Sequence, residues 1–250
     1  MQVFLTLTRR ELATYFVSLT GYVIIGAVAL LCGLTFWTLL NTMGSDAYQL
    51  AVTEMFFQSQ MFWPILLIAN AVITMRLYAH EKYAGTYETL MTTPVGDLQV
   101  VAAKFSASWL FYMITWLPFL GCCYLIQNYA KQAGALDPGV LGGTFIGIGL
   151  FGAFFLSFGA FASALTSNQM VAAMISLLIG MALFALSYIA GPAAAGTGWS
   201  ARVLSRFDLF QQMREYAHGV VDTRSVVFLL SLTFFFLFLN LRVVESRRWK

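Results

Sequence analysis

Charged side chains divide this chain into long stretches that contain none: 12–45, 55–75, 105–130, 138–201 and 225–241. A helix needs about 20 mostly apolar residues to cross the roughly 30 Å hydrocarbon core of a bilayer. Each run is therefore a crossing, and the fourth is long enough for two. It divides at the polar cluster from Thr166 to Gln169, which reads as a tight turn. The pattern predicts six helices, at about 18–40, 56–78, 100–126, 140–165, 169–191 and 224–243, within one domain over 1–250. The fold class is an all-α integral membrane protein. The last helix is short, but Arg224 and Arg242 can lay their stems along it and keep their charges at the interface. Pro64 and Pro118 fall inside the second and third spans and should bend them.

Composition sharpens the assignment. The chain is 60% hydrophobic and 10% charged, with 23 Phe among 250 residues, whereas soluble domains are about a quarter charged. Lipid must be its main solvent. Trp37, Trp63, Trp109 and Trp116 are expected as interfacial anchors or lipid-facing bulk. Cys32, Cys122 and Cys123 lie inside apolar runs without metal-ligand spacing and read as filler. Arg9, Arg10 and Glu11 precede a first run long enough to remain as an anchor, so no cleavable signal is expected. The net charge of +3 is small and the basic residues sit at segment ends, which makes nucleic acid a poor partner.

Those basic residues set an orientation. Arg9, Arg10, Arg76, Lys82, Lys104, Arg242, Arg247, Arg248 and Lys250 fall on one side, against Lys131, Arg202, Arg206, Arg214 and Arg224. The richer side is cytoplasmic by the positive-inside rule. It holds both termini, the 80–97 loop and the 166–169 turn.

The chemistry of the spans excludes several functions. No predicted span has an ionisable residue near its centre, where gradient-driven transporters place one. His80 and His218 both fall in loops, and neither a zinc-protease H-E-x-x-H nor a phosphate-binding loop occurs. The chain is expected to be no enzyme and to carry no cofactor or metal. Energy for uphill movement would enter from another subunit.

Three polar or glycine-rich features remain. In HEKYAGTYETLMTTPVGD (80–97), Gly85 can end an extension of the second span in a left-handed conformation. Thr86 can cap a new helix with Glu88 in its first turn, Pro94 stops it, and Asp97 caps the next. The product is either a short rigid helix or an ordinary inter-span loop. SRFDLFQQMREYAHGVVD (205–222) mixes apolar and charged residues at near-helical spacing, as a re-entrant or interfacial amphipathic helix or a packed cap. Gly143 and Gly147 form a G-x-x-x-G that permits close helix approach, within one subunit or across a dimer seam.

Glu81, Lys82, Gly85, Thr86, Glu88, Leu90, Thr92, Pro94 and Val95, followed by Lys104 and Phe105, resemble the coupling region of ABC-transporter permeases of the type-2 exporter class. RRELATYFVSLTGYV (9–23), with Arg9, Arg10, Glu11, Tyr15 and Phe16, resembles the elbow helix of that family. Phe207, Asp208 and Phe210, then Gly219 and Asp222 and the terminal ESRRW (245–249), resemble its gliding-motility-associated branch. The likeness runs end to end, with the loop motif its most specific part. Leu19 replaces a usual Pro and His80 a common acid.

The resemblance implies a six-helix permease in a bacterial inner membrane, working as a homodimer or pseudo-dimer. Two separate ABC ATPase subunits would hold the ATP and Mg. A coupling helix around 86–93 would seat in an ATPase cleft, and an elbow around 9–16 would lie along membrane lipid of the inner leaflet. An auxiliary subunit with a large extracytoplasmic domain is a further partner of the branch. Phe207, Asp208, Phe210, Gly219 and Asp222 would belong to the extracytoplasmic re-entrant segment. The function implied is coupling of ATP hydrolysis to substrate export. The competing reading is a non-transporting anchor that relays ATPase strokes to an envelope partner. A pathway without buried charge favours amphipathic, lipid-linked or hydrophobic cargo.

Overall fold

The computed structural model describes residues 2–43, 53, 56–57, 62–86, 96–129, 138–193 and 205–246. Every regular element among them is helical. In chain order these are α1 (Gln2–Val17), α2 (Leu19–Met43), α3 (Phe62–Thr74), α4 (Ala79–Tyr83), α5 (Asp97–Thr115), α6 (Leu117–Tyr129), α7 (Pro138–Leu165) and α8 (Gln169–Ala193). A 3-10 turn at Ser205–Phe207 leads to α9 (Leu209–Ala217) and α10 (Thr223–Ser246). Six stretches are long and apolar enough to cross a membrane: Leu19–Asn41, Phe62–Tyr83, Asp97–Leu125, Pro138–Leu165, Gln169–Gly191 and Thr223–Ser246. They match the six helices read from the five charge-free runs, including the turn between α7 and α8 at 166–168.

The fourth span, α7, is the axis of the bundle and touches α3, α5, α8, α9 and α10. It can do so because it is apolar or small on every side. A Cβ at Gly152 would lie 2.0 Å from Tyr112 Cε1, and one at Gly159 2.4 Å from Thr74 Oγ1. Neighbouring side chains thus occupy the space that larger residues would need. Around this axis an aromatic core forms from Phe56, Phe62, Trp63, Trp116, Phe119, Phe151 and Phe154.

That core corrects two expectations. Trp63 and Trp116 are 2% and 0% exposed rather than lipid-facing. Trp63 is held edge-on to Phe151, Phe184 and Phe210 at ring separations of 5.8, 5.8 and 4.8 Å. Large flat side chains repay burial against one another more than lipid contact does. Pro64 is the third described residue of α3. Pro118 does interrupt the third span. It lies in the first turn of α6, and the break falls just before it at Trp116, between α5 and α6.

The second span breaks where the residues gave no sign of it. α3 stops at Thr74 and the chain turns through Met75 to Tyr78 before α4. The freed backbone groups are taken by one side chain of α7: Ser163 Oγ accepts from Tyr78 N and Ala79 N, both at 3.1 Å, and donates to Met75 O at 3.3 Å. α4 is capped at Ala84 and followed by Gly85 at φ of 71°, the left-handed conformation that glycine adopts without a Cβ penalty.

Candidate functional site

The end of the second span gathers the polar groups of the bundle. Lys104, two turns into α5, is 1% exposed. Its Nζ lies 2.6 Å from Glu81 Oε1 and 3.1 Å from Glu11 Oε1, and 5.6 Å above the Tyr78 ring. A desolvated ammonium persists only when paired, so this charge clamps three separate elements: α1, α4 and α5.

Further bonds brace the same region. Arg76 Nη1 donates to Ser18 Oγ at 3.0 Å and Thr20 Oγ1 at 2.6 Å, at the corner between α1 and α2. Tyr15 stacks on Phe111 at 4.5 Å, and its hydroxyl donates to Ile73 O at 3.2 Å. Burial, reinforced by the nearby Glu11 carboxylate and only partly offset by Arg76, pushes the Tyr15 phenol above its usual range. It therefore remains a neutral donor. Lys82 Nζ donates to Ala164 O, and His80 Nδ1 is 2.8 Å from Gln169 Nε2. Asn240 Nδ2 donates to Tyr78 OH at 3.3 Å. Residues 76–82 thus bond to α5, α7, α8, α10, the α1–α2 corner and the first turn of α2.

Of the residues singled out in the 80–97 loop, Glu81 and Lys82 face into this hub, while Gly85 and Thr86 are exposed at its rim. Glu88, Leu90 and Pro94, and with them most of the expected coupling helix, lie outside the described residues. The chain re-enters at Gly96, which precedes α5. In α1, Glu11, Tyr15 and Phe16 turn inward, Phe16 edge-on to Phe111 at 5.7 Å, and Arg9 and Arg10 stay exposed. The helix begins at Gln2, two turns before the segment read as the elbow.

The opposite end of the bundle is closed by α9. Asp208 caps it by accepting from Gln211 N at 3.0 Å, and Ser187 Oγ of α8 accepts from Leu209 N at 2.8 Å. Phe210 packs on Trp63 and Phe184, and Phe207 meets Phe228 edge-on at 5.3 Å. Burial raises the Tyr216 phenol above its ordinary value as the ring lies over Gly147. Gly219, at φ of 80°, ends the segment against Gly143, and Asp222 accepts from Arg224 N at 2.9 Å. The G-x-x-x-G therefore packs within the subunit.

Ser163, Ser187 and the role of Lys104 escaped the sequence reading. Serines within apolar runs carry no positional signal. Lys104 did carry one, as a lone charge at the mouth of an apolar run, but its two partners lie 93 and 23 residues away in the chain. Among the described residues no cluster of His, Cys, Asp or Glu could hold a metal ion.

Compared with known families, residues 18–183 match the ABC-2 family transporter protein. The match runs from the corner before α2 into α8 and includes the 80–97 loop. It leaves out α1 and α9, and with them the segments that resemble the gliding-motility branch. No curated protein matches the chain.

Proposed function

The chain belongs to the ABC-2 family of transporter proteins, as a transmembrane component that is not itself catalytic, and we propose that it is the permease subunit of an ATP-driven exporter. Separate ATPase subunits bind ATP and Mg and hydrolyse ATP on the cytoplasmic side. Their closure pushes on the coupling segment around 86–93, and two copies of the permease rearrange to pass amphipathic or lipid-linked cargo across a bacterial inner membrane.

The observation that carries this reading is the Lys104 clamp. The coupling segment leaves α4 after Glu81 and rejoins the bundle at α5, which carries Lys104. Both of its anchors are therefore tied to each other and to α1 through one buried charge. A push delivered between them is passed to the whole bundle, because the braced frame cannot absorb it locally. α1, with Arg9 and Arg10 exposed, would rest on the inner leaflet, and α9 would close the outer end of the pathway.

The test is reconstitution of the permease with its ATPase in liposomes. Glu88→Arg and Thr86→Pro are expected to leave the complex assembled and hydrolysing ATP while cargo movement falls to background. Unchanged transport in both variants would remove the lever role. A wild-type complex that hydrolyses ATP yet moves no lipid or glycolipid would transfer the assignment to force transmission toward an envelope partner.

A further inference from the structure

A cavity of about 270 Å³ opens between α1, the α1–α2 corner and the end of the second span, lined in part by Arg10, Tyr15, Thr20, Ile24, Arg76 and Glu81. Its charges are not all spent on the clamp. Glu81 gives only Oε1 to Lys104, and Arg76 gives only Nη1 to Ser18 and Thr20. Arg76 Nε and Glu81 Oε2 are both buried and have no hydrogen-bond partner among the described residues. Leaving one charged donor and one charged acceptor desolvated and unbonded is costly, and the two demand opposite things of a ligand. A lone anion would satisfy Arg76 and be repelled by Glu81. A lone cation would do the reverse.

A zwitterion that carries an anionic oxygen and an N–H-bearing ammonium answers both. We propose that this pocket binds the phosphoethanolamine headgroup of a phospholipid, with a phosphate oxygen on Arg76 Nε and the ammonium on Glu81 Oε2. The lipid origin follows from the neighbouring surface. Val17 and Leu19 are 87% and 79% exposed at the corner, and Tyr22 and Val23 continue that bare apolar strip along α2. Acyl chains of a headgroup held at the corner lie along this strip. The site is independent of the ATPase reading, since neither orphan atom requires a coupling partner.

Native mass spectrometry of the full-length chain in detergent, titrated with phosphatidylethanolamine, phosphatidylcholine or phosphatidylglycerol, tests the site. A choline headgroup has no N–H to donate, and a glycerol headgroup has no cation. Phosphatidylethanolamine is expected to be retained about tenfold more than either, the worth of one charge-assisted hydrogen bond. Arg76→Lys keeps the charge but lacks Nε–H, and Glu81→Gln keeps an oxygen for Lys104 but loses the anion. Arg76→Lys should lower retention of all three lipids alike, because each carries the phosphate, whereas Glu81→Gln should erase the preference and raise phosphatidylglycerol retention. Equal retention of the three lipids by the unmodified chain overturns the proposal, and this arm decides even if the variants fail to fold. So does an unchanged preference in folded Glu81→Gln, unchanged retention in folded Arg76→Lys, or displacement of the lipid by equimolar free phosphoethanolamine, which would place the ligand in solution.

Discussion

The two ends of the bundle are closed in different ways. At the α1 end, a buried lysine, two carboxylates, an arginine and a serine bridge five helices by directional bonds. At the α9 end, a short helix is pressed into the bundle by rings and glycines: Phe210 on Trp63, Tyr216 over Gly147, Gly219 against Gly143. Packed apolar contacts are numerous and hold one arrangement. Ionic contacts are few, strong and directional, so they tie the helices they join into one braced frame. Under the proposed function, the first is the end that would receive force and the second the end that would hold a shape.

Breaking the clamp should have the largest effect. Lys104→Ala leaves Glu11 and Glu81 facing each other without a cation and is expected to cost about 3–5 kcal/mol, read as a fall in detergent unfolding midpoint. Adding Glu11→Gln and Glu81→Gln to Lys104→Met should recover most of that loss, because it removes the charges together. A single substitution as damaging as the triple would mean that the lysine acts by shape alone.

The apolar end should yield next. A Cβ at Gly147 would stand 2.7 Å from Tyr216 Cβ, so Gly147→Val forces α9 outward at about 1–3 kcal/mol. Gly142, one residue from the close contact at Gly143, has nothing within 4 Å of its added Cβ. Gly142→Ala should therefore be neutral or slightly stabilising, and equal damage at both sites would dissolve the distinction. Smallest is the cap. Asp208→Ala removes the bond from Gln211 N and should cost about 1 kcal/mol, visible as faster amide exchange confined to 209–217.

Several features were legible because they depend only on neighbours in the chain. A charge-free run longer than the bilayer is thick must cross it, and Thr166 to Gln169 had to divide the longest one. Gly85 takes its left-handed conformation where a helix meets polar sequence, and Pro118 interrupts the third span through its own missing N–H. The match to the ABC-2 family over 18–183 agrees with the loop motif in sequence.

What depends on distant partners was decided only in three dimensions. Nothing near Ser163 announces that it will replace the hydrogen bonds lost at 75–79, and nothing near Lys104 names Glu11 over the other acids of the chain. Trp63 and Trp116 read as interfacial anchors or lipid-facing bulk because their hydrophobicity is the same wherever they are placed, and packing buries them. A bilayer rewards an apolar residue whether it meets lipid or protein, so the sequence determines that a segment crosses and leaves open which face it buries. Packing against α7 settles that choice. It also brings the few charged groups at one end close enough to require one another.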